Sequence, residues 1–199
     1  MPAPARAATV ALILAVSALA ARPAAAQRVI IETAVGAITV QLDSARAPST
    51  VANFLRYVDA GAYDGGRFHR TVTRSPDNQP RNTVKIDVIQ GGADSAKAAA
   101  LGLGPIALER TSVTGLRHVR GAISMARGGP DTATSDFFLC LADEPSLDFG
   151  GQRNPDGQGF AAFGRVTAGL DVAERIHLSP VMEQRLAPPI GILKVRRAP

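Results

Sequence analysis

A chain of 199 residues, 46% apolar and 20% charged, has material for a single hydrophobic core and one ordinary domain. Its formal charge of +5 falls to +3 once Arg6 and Arg22, in the N-terminal segment, are set aside; without a dense Lys/Arg block, so mild a charge argues against a nucleic-acid surface. The single cysteine excludes an internal disulfide. His69, His118 and His177 are too scattered for a metal site, and no phosphate loop or G-x-S-x-G turn occurs.

In chain order, the first segment has the pattern of a secretory leader. Arg6 supplies a positive start, Ala7 to Ala21 an apolar run, and Ala24-Ala25-Ala26 a small-residue cleavage site before Gln27. About 15 apolar residues fall short of the ~20 that span a bilayer, so residues 1–26 are expected to be cleaved and 27–199 exported, with no stable membrane insertion afterwards. "VIIETAVGAITVQLD" reads as a hairpin, with Ile38, Val40 and Leu42 alternating and Gly36 at the turn. In "APSTVANFLRYVDAG", Val51, Phe54, Leu55 and Val58 fall on one helical face. Pro48 suits the first turn and Gly61 the C-terminal end.

"GGRFHRTV" then reads as a strand at about 66–72. Simple alternation puts Arg70 on one face with Phe68 and Val72 and turns His69 to the other. "TRSPDNQPRN" is a polar loop, and "VKIDVIQ" a strand ending at Gly91-Gly92. "SAKAAALG" allows a short helical turn. "GAISMAR" and "DFFLCLA" have the apolar character of buried strands, which makes Cys140 an inert thiol. After the loop "QRNPDGQG" come a strand "FAAFGRV", a helix over about 168–177 with Leu170, Ala173 and Ile176 inward, and a closing strand "ILKVRR". About eight short strands and two helices predict a mainly β domain, its sheet closed into a barrel with helices over the open ends.

Five segments in order, "GAYDGGRFHRTV", "VIQGG", "GAISMARGGPDTATSDFFLCLAD", "SLDFGG" and "FAAFGRV", resemble the signatures of the cyclophilin-type peptidyl-prolyl cis–trans isomerases. The resemblance runs from about Val29 to Val195. It implies a closed eight-stranded antiparallel barrel capped by two α-helices, with a substrate groove on the outer surface, and an expected monomer that acts on proline-containing segments of client proteins without a metal or cofactor. Carried over residue by residue, it makes Arg70 and Gln90 the catalytic pair. Phe138 and Leu147 wall the proline pocket, with Val88 where a methionine is usual and Phe160 where many members have His or Tyr. Ala126 and Arg127 offer their backbone to the residue before the proline, and His69 stands beside the arginine.

The sequence also departs from that pattern. The loop between Arg70 and Gln90 is longer than in compact members, Asp87 replaces an aromatic pocket wall, Asp136 replaces a glutamine, and Ser146 replaces an aromatic residue. A salt bridge from Asp136 to Arg70 would either hold the guanidinium or compete for its donors and slow the reaction. Two readings therefore stand: an isomerase, favoured by Arg70, Gln90 and Phe138, or a proline-binding chaperone of the same fold with weak or no isomerase activity, favoured by Asp87 and Asp136.

Overall fold

The computed structural model describes residues 27–198; the leader read at residues 1–26 lies outside them. Among the described residues, nine strands and four α-helices follow in order: β1 (Arg28–Thr33), β2 (Gly36–Leu42), α1 (Pro48–Asp59), β3 (Arg67–Val72), β4 (Val88–Gly92), α2 (Ser95–Ala100), α3 (Thr111–Thr114), β5 (Ala122–Met125), β6 (Phe137–Cys140), β7 (Ala161–Ala168), α4 (Leu170–His177), β8 (Val181–Met182) and β9 (Arg185–Arg197). The sheet order is β1-β2-β7-β5-β6-β4-β3-β9, and β9 returns to pair with β1, so eight antiparallel strands close into a barrel. The two-residue β8 lies outside the ring, paired only with β9. Closure satisfies the backbone groups that an open sheet would leave at its edges.

The two longer helices stand where the periodicity put them. α1 carries Pro48 in its first turn, and Gly61, at φ +64°, takes the left-handed conformation that lets the chain leave it. Its N-terminus has no capping side chain of its own. Glu109, about 60 residues away, accepts instead from the Ser49 and Thr50 amides at 3.0 and 2.8 Å and from the Thr50 hydroxyl. In α4 the buried residues are Val172, Ala173 and Ile176, while the expected inward Leu170 is only partly covered. The two additional helices are short. α2 is capped by the Asp94 carboxylate and buries none of its residues, and α3 ends at left-handed Gly115. The strand expected over 84–90 begins only at Val88, because Asp87 is drawn into a polar cluster.

Period-2 alternation then makes two apolar layers. Ile123 and Met125 of β5, Phe137 and Leu139 of β6, and Ile89 of β4 enter the barrel core. Their neighbours Ala122, Phe138, Cys140 and Val88 face outward, where they form a second cluster with Val72, Ile86 and Leu147. In the core, Phe137 meets Phe54, Tyr63 and Phe68 at centroid separations of 5.8, 5.7 and 5.7 Å, all near edge-to-face. Such pairs contribute roughly 1 kcal/mol each beyond their burial. Cys140 is fully buried, and burial, followed by the charges of Glu144, Asp148 and Asp143, pushes its thiol well above the usual range. It has no nucleophilic character.

One expectation about β3 is corrected. The register slips between Phe68 and Arg70, which leaves His69 as an extra residue opposite the partner strands. This bulge reverses the alternation. Phe68 enters the core, fully buried, whereas Arg70 shares the outer face with Val72. The arginine and the phenylalanine occupy opposite faces, and the apparent burial of a cation among apolar residues disappears.

Candidate active site

The outward cluster is the floor of a groove with a cavity of about 640 Å³. Arg70, Val88, Gln90, Ala126, Arg127, Asp136, Phe138, Leu147 and Phe160 all line it, nine of the ten residues singled out from the sequence. His69 is the exception. The bulge swings its ring to the groove's margin rather than to the opposite face, and Nε2 lies 3.7 Å from the Asp136 carboxylate. It lines no part of the cavity.

Arg70 is half-buried and held by neutral partners. Its Nη1 donates to Gln90 Oε1 at 3.0 Å, while Nε and Nη2 both donate to Gln184 Oε1 at 3.0 and 2.6 Å. A guanidinium has five N–H donors, so one remains on each terminal nitrogen. Burial, and secondarily the neighbouring Arg153, lowers its pKa from the ordinary arginine value, and the group stays cationic at any physiological pH. Gln184 escaped the sequence reading: it lies in the β8–β9 turn, 114 residues from Arg70, and is itself anchored through Nε2 to the Asn78 carbonyl at 2.9 Å.

Asp136 forms no salt bridge with Arg70 among the described residues. Asp136 instead accepts from Gln90 Nε2 at 3.3 Å, and the glutamine passes its own oxygen to Arg70. Gly92 makes room for this carboxylate, since a Cβ there would stand 2.0 Å from Asp136 Oδ1. Asp87 is likewise no groove wall. It turns away to accept from the Arg74 amide at 2.7 Å and the Arg74 guanidinium at 2.6 Å, and Ile86 lines the cavity in its place.

The apolar pocket is supported from beneath. Phe138 and Phe160 meet edge-to-face at 5.3 Å. Below Phe138 the His118 ring is stacked at 5.9 Å and held between the Asp148 carboxylate, 2.7 Å from Nδ1, and the Ser124 hydroxyl, 2.9 Å from Nε2. Burial opposes the Asp148 charge, but the His118 side-chain and backbone bonds outweigh it and hold the carboxyl below its usual range. Ser124, His118 and Asp148 resemble a hydrolytic triad only in composition: Ser124 is 0% exposed and His118 1%, so the serine is out of any substrate's reach. They brace the aromatic pocket wall.

Two loops shape the rest. The segment between β5 and β6 is tied down by Tyr63 Oη donating to Ser135 O at 2.7 Å and Asn53 Nδ2 donating to Thr134 O at 2.6 Å. Arg127 keeps its side chain buried over Phe160, 4.8 Å from the ring centroid, and clamps Asp156 with bonds of 2.7 and 2.9 Å. That clamp, with the Gln158 amide, lowers the Asp156 pKa to about 2. The loop before β7 is thereby fixed against the groove, and Arg153, Asn154 and Pro155 become part of its lining.

The site thus combines an aromatic and aliphatic pocket with a rigid cationic donor beside it. The family described as cyclophilin type peptidyl-prolyl cis-trans isomerase/CLD matches residues 28–197. The chain is 37% identical over 161 residues to peptidyl-prolyl cis-trans isomerase A of Dickeya dadantii, covering 80% of this chain and 75% of that one. A peptidyl-prolyl cis-trans isomerase of Streptomyces antibioticus is also 37% identical, over 155 residues, with 73% and 80% covered. In fold, a cyclophilin-type isomerase of Cryptosporidium parvum, crystallised in the presence of the dipeptide Ala-Pro, superposes with a TM-score of 0.68 at 22% identity over 87% of this chain and 99% of that one. With its barrel, outer groove and nearly full-length match, the chain belongs to the cyclophilin-type peptidyl-prolyl cis–trans isomerases.

Proposed function

We propose that the protein is exported with removal of residues 1–26, resides in the periplasm as a monomer, and accelerates X–Pro rotation in unfolded or partly folded exported proteins. The leader-like N-terminal sequence supports export, and among the described residues no helix is long and apolar enough to cross a membrane. The observation that carries the catalytic reading is the Arg70 fork, anchored on three donors and free on two, beside the Phe138–Leu147–Phe160 pocket.

The chemistry needs only binding. An X–Pro bond resists rotation because the nitrogen lone pair is shared with the carbonyl, a barrier of about 18–20 kcal/mol. As the bond twists, the lone pair returns to nitrogen, which becomes a hydrogen-bond acceptor. A fixed donor there stabilises the twisted state over either planar one, and each ~1.4 kcal/mol of that preference gives about tenfold in rate. The pocket holds the proline ring, Arg70 supplies the donor, and Gln90 orients it. Gln90 is in turn fixed by Asp136, which touches the glutamine and not the guanidinium.

Exchange NMR on a short Ala-Pro peptide tests this reading directly. Catalytic amounts of residues 27–199 should speed cis–trans exchange well beyond the uncatalysed tens to hundreds of seconds; peptide shifts without faster exchange would leave a proline-binding protein instead. The same assay examines Gln184. Gln184→Ala removes two of the three bonds orienting Arg70, so kcat should fall about tenfold with KM little changed. A rise in KM alone would mean that Gln184 shapes the groove rather than positioning the donor.

A further inference from the structure

Three arginines line the groove: Arg70, Arg127, which is paired with Asp156, and Arg153, which the catalytic scheme does not use. Arg153 lines the same cavity as Arg70 and donates from Nη1 to the Val84 carbonyl at 2.5 Å. Its backbone is fixed by a bond to Ser146 O at 3.1 Å, and its loop by Gly150 N to Gly157 O at 2.8 Å and by the Arg127–Asp156 clamp. It is a built feature of the groove wall.

Neither the Arg70 nor the Arg153 guanidinium has a carboxylate to itself. Among the described residues, Arg70 bonds only to the neutral amides of Gln90 and Gln184, and Arg153 only to backbone carbonyl. The nearby acids, Asp136 in the groove lining among them, have other partners. Asp136 faces Gln90 and His69, and Asp156 is consumed by Arg127. Glu144 is fully buried and clamped by Arg74 and the Asp87 amide; it attracts Arg153 at longer range while Arg74 repels it. Arg70 and Arg153 are held below the ordinary arginine pKa, each first by burial, and Arg70 next by Arg153 itself. Two partly desolvated like charges on one groove favour an anion between or beside them.

We propose that Arg153 is a specificity-determining residue, selecting proline segments that carry an aspartate or glutamate next to the proline, with that carboxylate seated on the unused Arg153 donors. The proposal rests on the groove being the peptide site. Guanidinium presents paired donors that match a carboxylate's two oxygens, and the incoming charge offsets the Arg70–Arg153 repulsion.

The test is a peptide series around one Ala-Pro core, with Glu, Gln or Lys placed directly before or directly after the proline. Binding is read by NMR titration and catalysis by exchange NMR, both at low and high salt. Wild-type protein should favour Glu over Lys by about fivefold in at least one position, and the ratio should shrink as salt rises. In Arg153→Gln the ratio should collapse towards one. A ratio near one in the wild type, or one that survives in Arg153→Gln, overturns the proposal. Faster exchange without a Glu preference would remove this inference alone. A Glu preference in binding without faster exchange would support it and remove the isomerase reading instead.

Discussion

Replacing Arg70 by alanine should reduce catalysed exchange at least about hundredfold while leaving the barrel folded. The size follows from what is lost: a preorganised charged donor aimed at the atom whose electron density changes in the twisted state, an interaction worth roughly 3–4 kcal/mol in comparable sites. The fold should survive because Arg70 lies on the outer face of β3, above the groove floor and outside the core formed by Phe68, Phe137 and Phe54. Its bonds to Gln90 and Gln184 are between side chains that remain accessible to water once the guanidinium is gone, so the stability change should stay within about 1 kcal/mol. Arg70→Lys should recover little, since a point charge cannot hold both glutamines and still present two donors. Exchange NMR beside thermal unfolding measures both parts; a folded Arg70→Ala variant keeping a tenth of the activity would refute the donor mechanism.

The second large effect concerns stability. Glu144 has a fully buried side chain, and its carboxylate accepts from Arg74 Nη1 and Nη2 at 2.8 and 2.6 Å and from the Asp87 amide at 2.7 Å. Burial is the leading influence on it and raises its pKa, with the Arg74 bonds pulling the other way. Arg74→Met strands that charge, and loss of one partner from such a pair costs about 3 kcal/mol. The pH dependence has a definite sign. A carboxyl whose folded pKa is raised binds more protons folded than unfolded, so stability falls as pH rises from the unfolded value through the folded one.

Removing Arg74 raises the folded value further and widens that window. The variant's deficit should therefore be largest near neutrality and shrink as the pH falls through about 4, below which Glu144 becomes protonated in both states. Urea midpoints across this range measure it. The double variant Arg74→Met/Glu144→Gln should recover a large part of the loss at neutral pH, because the fully buried charge is gone, while Asp87 keeps its bond from the Arg74 backbone amide but not the guanidinium. Equal deficits at both pH values would show that Arg74 contributes packing rather than charge compensation.

Much of the site could be read from the chain because its signals are local. Val88, Gln90, Phe138 and Leu147 sit in the short segments that carry the cyclophilin resemblance, and all of them line the groove. Gln184 had no such signal. It is a polar residue in a turn, and its role exists only because β9 brings the β8–β9 turn beside β3. Asp136 and Asp87 were visible as departures, but the direction in which each carboxylate points depends on Gly92, Arg74 and Glu144, which are distant in sequence.

By itself the sequence determined the periodicities: the α1 and α4 faces, the alternating strands, the stop at Gly61, and the ordered segments that carry the cyclophilin resemblance. Each of these depends on residues within a turn or two of one another, where steric preference and apolar spacing suffice. Only the tertiary structure decided the bulge at His69, which puts Phe68 inside the barrel and Arg70 outside. It alone placed Glu109 on the α1 N-terminus, turned Asp87 away from the groove, and set Arg153 beside Arg70. A bulge is fixed by the register of the strands on either side, and a charge by the partners that reach it, and both are properties of the closed barrel rather than of any stretch of chain.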